Sequence, residues 1–564
     1  MKKTDGGARW QPASPDVTER PEPPASVGGD HSHEGHVPAN YALGDPEEEQ
    51  NSRRATAITT LALSTLEAGV IWAGTSNGLI QLPKDGGKTW ENVSPPAVSA
   101  ESAIDIIEAS HDDRNTAYAV VAAFHDSNPY IYRTHDGGKT WRKITDGLEP
   151  SWVARVVRED PVRKGLLYAG TENGVYVSFD DGDHWQSLEL NLPAADVRDL
   201  AVHENDLVEA TFGRALWIRD DFSPLCQADS HVANSNASLL RPAPAARVRW
   251  DNNQETPLPP KFPAGKNPPD GAILDYYLKS VSSGELTLEI HDAQGNLVRR
   301  FTSVAPALDN TPKNVPDYWF RPPVVLTKNA GMNRFVWDLR YDSPPALNYG
   351  YFGDLLDYTE YTLVDHAKPG NTPREQTLGP LVVPGKYEAV FIGNGMLIKQ
   401  LLTITLDPRV HVSQADLVQQ LEAAKKVSGT LKSSYDAFHA AEALRAAVAD
   451  RQKSLAALLK DNPQAKDASD ALEDLDAQIE AIQSGTRTEP GFGSVNRDLA
   501  REMHMIETGD AAPSESAQAR IADSCAALGK ALADWRQLSS QALPPANALL
   551  DRYKFPPLPI AAAQ

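Results

Sequence analysis

LYAGTENGVYVSFDDGDHW, residues 167–185, repeats two earlier stretches, IWAGTSNGLIQLPKDGGKTW at 71–90 and YIYRTHDGGKTW at 130–141. Each closes on Asp-x-Gly-x-x-Trp, which pairs Asp85 with Trp90, Asp136 with Trp141 and Asp180 with Trp185. The aspartates stand 51 and 44 residues apart, close to the ~40–50 residues of one four-stranded sheet in a radial repeat. Short β-branched or aromatic runs with turn signals precede each motif. The chemistry of the motif is structural. Its aspartate accepts hydrogen bonds from backbone N–H groups across a tight turn, its glycines take conformations closed to other residues, and its tryptophan opens the outer strand and buries a large ring. A partial fourth unit follows at 197–202, 207–211 and 215–218, with three strands and no motif. Asp5-Gly6-Gly7-Ala8-Arg9-Trp10 carries the motif with no strands before it. Two readings fit. A strand at this N-terminal motif completes the last sheet and removes its edge, or the chain begins in the middle of a sheet of a longer protein.

These residues resemble the Asp-box (BNR) repeat superfamily of β-propellers, which includes bacterial sialidases, xyloglucanases, the sortilin luminal domain and photosystem assembly factors. The likeness is most specific at Arg158-Glu159-Asp160-Pro161 and through Leu166 to Glu172. It continues through Asn191-Leu192-Pro193 and Asp206-Leu207-Val208 to the stretch from Thr211 to Asp221. Phe212 stands where that family usually shows histidine, and Arg219 where it shows leucine. The resemblance is to large exported bacterial proteins described as glycosyl hydrolase BNR-repeat or sortilin N-terminal domain-containing, and it implies that this chain is their C-terminal part. It implies a periplasmic or extracellular location. No signal peptide is expected within the chain as read, because Met1-Lys2-Lys3 runs into polar Thr4-Asp5-Gly6-Gly7 where an apolar segment is needed. Sialidase chemistry needs an arginine triad and a tyrosine–glutamate pair, and no such set is recognisable. Asp105, Glu108, Glu159 and Asp160 are available acids, each read first as a solvated or loop-capping carboxylate.

Composition bounds the rest. The 564 residues are 41% hydrophobic and 23% charged, ordinary for a globular chain of several domains. A net charge of −22 argues against nucleic acid as a partner, since phosphates are met by basic stripes. No run approaches the ~20 apolar residues of a membrane-spanning helix. Cys226 and Cys525 are read as free thiols. No phosphate-binding glycine loop, metalloprotease helix or nucleophile elbow occurs, and no cofactor is expected. Residues His31, His33 and His36 have a spacing that could hold a metal ion, read here as incidental.

The expected architecture is multidomain and mainly β. Residues 1–55 are a partial blade strand and a proline-rich linker, and 56–225 are propeller blades, three full and one partial. Residues 226–270 are a second linker, and 271–410 an immunoglobulin-like, FlgD-type β-sandwich with an insert at about 341–380. Residues 411–550 are an antiparallel helical bundle, and 551–564 a tail. The sandwich is read from alternating runs at 284–292, 297–301, 331–339, 384–391 and 401–406. In the bundle, Ser413 is a candidate N-cap, apolar stripes run from Leu417 and from Leu472, Asn462-Pro463 breaks the first, and another helix spans 517–538. The expected function is non-catalytic recognition of a peptide, protein or glycan, with glycoside hydrolysis as the alternative. The loops near Trp72, Phe124, Trp152 and Arg214 are the expected binding positions.

Overall fold

A computed structural model describes residues 14–19, 56–84, 87–124, 126–188, 191–249, 258–262, 265, 267–306, 316–319, 322–347, 361–362, 367–368, 378–460 and 462–559. The chain divides into two compact units, Met1–Ala228 and Asp229–Gln564. The structure is mostly β, with a helical C-terminal region. No helix among the described residues is long and apolar enough to cross a membrane.

The first unit is a succession of antiparallel meanders. Strands β1 (Ile58–Leu63), β2 (Ile71–Thr75), β3 (Ile80–Pro83) and β4 (Trp90–Asn92) make the first blade. The second blade is β5 (Ser102–Ala109), β6 (Ala117–Ala123), β7 (Ile131–Thr134) and β8 (Arg142–Lys143). The third is β9 (Ala154–Glu159), β10 (Leu167–Thr171), β11 (Gly174–Ser178) and β12 (Gln186–Ser187). A last sheet has only β13 (Asp196–His203), β14 (Asp206–Phe212) and β15 (Leu216–Arg219). Successive first strands pack on one another, β1 by β5, β5 by β9 and β9 by β13, which puts them on the inner side of the arc. Apolar seams fill the space between sheets. Trp72, Ile104 and Ala119 lie in the first seam, Tyr118, Ile144 and Trp185 in the second, and Val156, Tyr168, Val197 and Leu207 in the third.

The Asp-x-Gly-x-x-Trp turns tie the second and third blades to the one before each. Asp136 accepts from the Thr140 backbone N–H at 2.9 Å and the Thr140 hydroxyl at 2.7 Å. Asp180 accepts from the His184 backbone N–H at 2.9 Å, with the His184 ring nitrogen Nδ1 2.6 Å away. Gly138 and Gly182 sit at φ +83° and +86°, and a Cβ on them would come within 2.6 Å of Val93 and 2.4 Å of Ile144 in the preceding blade. The same two residues receive the indoles, Trp141 Nε1 donating to the Val93 carbonyl at 2.6 Å and Trp185 Nε1 to the Ile144 carbonyl at 3.0 Å. In the first blade the half-buried Trp90 donates instead to Gly87 of its own turn, at 3.0 Å. Asp5, Trp10 and Asp85 lie outside the described residues.

The second unit holds two sheets around one core. Strands β16 (Ala237–Leu239), β18 (Ala272–Leu278) and β21 (Gly331–Trp337) form one sheet. The other runs β17 (Ala245–Arg247), β25 (Met396–Leu406), β24 (Gly385–Gly393), β19 (Thr287–His291) and β20 (Leu297–Thr302). Strands β22 (Tyr361–Thr362) and β23 (Ala367–Lys368) pair by themselves. Tyr276, Trp337, Phe391 and Leu402 are fully buried between the sheets. The span 226–270, read as linker, thus contributes β16 and β17, and the strand β18 opens the sandwich ahead of the first alternating run. Three-residue strands flanked by prolines are too short to show a period.

Helices α1 (Gln414–Leu458), α2 (Lys466–Ser484), α3 (Phe492–Glu507), α4 (Glu515–Gln541) and α5 (Leu543–Arg552) follow. Ser413 caps α1 by accepting from the Asp416 N–H, Asn462 accepts from the Gln464 N–H past its end, and Gly485 at φ +92° ends α2. The sequence reading lacked α3 and α5. A polar cluster joins these helices to the sandwich. Arg247, 1% exposed, donates to Val382 O at 2.7 Å, Gln420 Oε1 at 2.8 Å and Asp510 Oδ1 at 2.6 Å. Arg249 meets the same Asp510 oxygen at 2.6 Å, and Arg340 meets Glu507 at 3.1 Å. Paired in this way, buried charge ties helix to sheet at little net cost, whereas removal of one partner strands the other.

Candidate functional site

Each inner strand of the first unit carries one residue more than its partner. The register slips between Ile58 and Thr60, Ile104 and Ile106, Ala154 and Val156, and Val197 and Asp199. The extra residues are Thr59, Asp105, Arg155 and Arg198, one per blade at equivalent positions. A bulge bends the strand and re-aims the side chain that has no cross-strand partner. Repeated four times on the inner side of the arc, it produces a row of polar side chains along one rim.

That rim is dense in charge. Arg155 pairs with Glu172, and its Nε lies 3.6 Å from Asp196 Oδ1. Arg198 Nη2 meets Asp196 Oδ2 at 2.6 Å. The Arg198 guanidinium lies 5.2 Å from the centroid of the Phe212 ring, within cation–π range, and Phe212 is 71% exposed. Burial pushes the Asp105 carboxyl above the usual carboxylate range, with the charges of Arg155 and Arg198 working against it. Thr59 donates its hydroxyl to the Ile104 carbonyl and so ties the first blade's bulge to the second blade. Nearby, Glu209 on β14 is pushed up to about 7 by burial, with Arg219 opposing.

The binding positions expected from sequence divide. The β6–β7 loop with Phe124, the approach to β9 with Trp152 and the β14–β15 loop with Arg214 all lie at the end of the sheets where the bulges are, as the pairings Ser102↔Ala123, Ala154↔Thr171 and Asp196↔Phe212 require. Phe124 and Arg214 are exposed, and Trp152 packs partly against the second seam. Trp72 is corrected: it is fully buried on β2, its ring edge-on to Trp141 at 6.2 Å, and cannot meet a ligand. Its place in the strand alternation points it into the seam. His31, His33 and His36 lie outside the described residues. Among the described residues there is no group of three or more metal-ligating side chains.

The other acids are occupied structurally. Asp160 accepts from the Val162 and Arg163 N–H groups at 2.8 Å and from the Tyr168 hydroxyl at 2.9 Å. Glu159 accepts from the His111 N–H at 2.6 Å, and burial raises its carboxyl. Glu108 lies 3.3 Å from Arg158. The bulge residues went unread in the sequence, except that Asp105 was counted among the acids. Aligning the inner strands as Ile58-Thr-Thr, Ile104-Asp-Ile, Ala154-Arg-Val and Val197-Arg-Asp exposes a polar residue after an apolar one, which is the available signal.

No family model matches the chain. It is 28% identical over 102 residues to a vacuolar protein sorting/targeting protein 10 from Leptosphaeria maculans, a match covering 18% of this chain and 6% of that protein. It is 30% identical over 107 residues to an oligoxyloglucan-reducing end-specific xyloglucanase from Emericella nidulans, covering 18% of this chain and 13% of the enzyme. The matched part is thus a small fraction of either relative. Among solved structures, "YCF48 bound to D1 peptide" overlaps at a TM-score of 0.24 and 19% identity, covering 29% of this chain and 52% of that one. A GH74 xyloglucanase from Xanthomonas campestris overlaps at 0.25 and 15% identity, covering 45% and 38%. Overlaps this partial carry no functional argument. The meander sheets packed by their first strands give the first unit a β-propeller-like arrangement.

Proposed function

We propose that this chain is a non-catalytic recognition protein built on Asp-box propeller blades, and that it binds a peptide, protein or glycan at the bulged rim. The supporting observation is the pairing state of that rim. Glu172 and Asp196 are engaged by Arg155 and Arg198, while Arg198 lies against the exposed ring of Phe212. A guanidinium beside an open aromatic face suits planar or carboxylate-bearing groups. It does not suit the paired free carboxylates of glycosidic cleavage, one acid and one base. In this reading the sandwich is an immunoglobulin-like, FlgD-type module, the helices form an antiparallel bundle that spaces or caps it, and the protein acts outside the cytoplasm.

One observation favours glycoside hydrolysis as a second reading: the raised carboxyl of Asp105 has the property of a general acid. A peptide-display library and a glycan array, each screened with the wild type and with Arg198→Ala, test the first reading. Hits that disappear in the variant support it. Release of new reducing ends from oligoxyloglucan, abolished by Asp105→Asn, would replace it with the second.

A further inference from the structure

Building on the rim as the recognition surface, we infer that it takes a peptide through a lysine or arginine side chain, whose cation pairs with Asp105. Of the four bulge residues, three are engaged within the protein. Thr59 donates to the Ile104 carbonyl, Arg155 pairs with Glu172, and Arg198 meets Asp196 at 2.6 Å. Asp105 makes neither a hydrogen bond nor an ion pair among the described residues, yet it is half-buried. A carboxyl withdrawn from water without a partner is unfavourable. Such a group calls for a specific cause, and on an open rim a ligand that completes its pairing is that cause.

The missing partner is positive. Three carboxylates, Asp105, Glu172 and Asp196, stand with two guanidiniums, Arg155 and Arg198. Both guanidiniums act on Asp105 only through space, from the next blade and the one after it, and each is held by another carboxylate. The row thus lacks one cation, and the net charge of −22 on the chain favours the approach of basic ligands. The surroundings suit a cation on an apolar stem better than a bare ion. The exposed ring of Phe124 follows Ala123, which pairs with Ser102 at the start of β5, the strand that carries Asp105. Beyond the arginines, the ring of Phe212 is exposed as well. The methylene stem of lysine or arginine packs along such rings while its head reaches an acid. The face made by Arg198 and Phe212 is left for a planar or carboxylate-bearing group further along the same peptide, so one ligand engages both ends of the row.

The test uses a positional-scanning library of acetylated, amidated hexapeptides, each position fixed in turn as arginine, citrulline or glutamate, assayed for binding to the full chain and to two variants. Citrulline keeps the shape of arginine and removes its charge. The wild type is expected to bind the arginine peptides at least roughly tenfold more tightly than the citrulline peptides, and Asp105→Asn to bind the two alike. Asp105→Asn keeps the side-chain shape and removes an unpaired half-buried charge, so its melting temperature is expected not to fall, which separates binding from folding. Arg198→Ala reports on the rim itself. Weaker binding in Arg198→Ala, with the arginine preference intact in Asp105→Asn, overturns the inference but leaves the rim as the recognition surface. Binding unchanged in both variants overturns the rim reading along with it. Equal affinity of the wild type for arginine and citrulline peptides, or no binding of any peptide at millimolar concentration, also overturns the inference.

Discussion

The second and third blades and the two ends of the arc have the same strand pattern but different surroundings. In the interior, each turn glycine is pressed against the preceding blade and each indole reaches a carbonyl there. At the first blade, the Trp90 indole bonds within its own turn. At the last sheet, Gly213 takes φ +79° with nothing within 4 Å of where a Cβ would be. The motif is therefore a joint between blades more than a feature of one blade. Its energetic worth depends on a neighbour that the repeat itself does not contain.

Removing an indole breaks this comparison most directly. Trp185→Ala empties a buried site and removes its bond to Ile144, an expected loss of about 3–5 kcal/mol. Trp90→Ala, at a half-buried ring bonded within its own turn, is expected to lose about 1 kcal/mol. Urea unfolding followed by hydrogen exchange on peptides from each blade separates the two. Equal losses would mean that the ring's own burial matters and the neighbour does not.

Glu209 sharpens the comparison at the last seam, where it shares a face of β14 with Leu207. Its folded pKa, about 7, is raised from the ordinary 4.5. The folded state thus holds the proton more tightly than the unfolded chain. The stabilisation is fully present below about pH 4.5 and is lost as pH rises through about 7. Glu209→Gln is expected to flatten that dependence and to gain about 2–3 kcal/mol at pH 8. Melting curves from pH 4 to pH 8 read this out, and an unchanged slope would place the titration elsewhere.

Glycine substitutions give a smaller contrast. Gly182→Ala adds a Cβ against Ile144 and is expected to cost about 2–3 kcal/mol, from strain and overpacking together. Gly213→Ala carries only the positive-φ cost, about 1 kcal/mol. Comparable losses would contradict the joint. The smallest effect is at Asp136, whose carboxyl is held at about 2 by the Thr140 hydroxyl and N–H. Its contribution is present above about pH 4 and lost as pH falls towards 2. Asp136→Asn should therefore reduce the acid sensitivity of exchange in β7–β8, and unaltered sensitivity would assign the effect to other carboxylates.

How much was legible follows from how local each feature is. The strands at 167–171 and 174–178 announce themselves through β-branched and aromatic runs bounded by Asn173-Gly174. Ser413 and Gly485 mark helix ends through their own side chain or its absence. The helix α3 was illegible because it opens on Gly491-Phe-Gly, which reads as a turn, although Phe492, Val495, Leu499, Met503 and Ile506 keep helical spacing. The strand β18 contains Asp275, whose partner Arg334 comes from β21, distant in sequence. The bulged rim was illegible for a like reason. An extra residue shows itself only against the register of the paired strand, and one strand alone does not contain that information.

The most direct test of the rim as the recognition surface is calorimetric titration of the best ligand from the display and array screens into wild type and Arg198→Ala. The account predicts an affinity loss of roughly 30-fold, the weight of an arginine hot spot, with the melting temperature unchanged. Equal affinity in the two proteins would contradict it and move the binding surface away from the bulges.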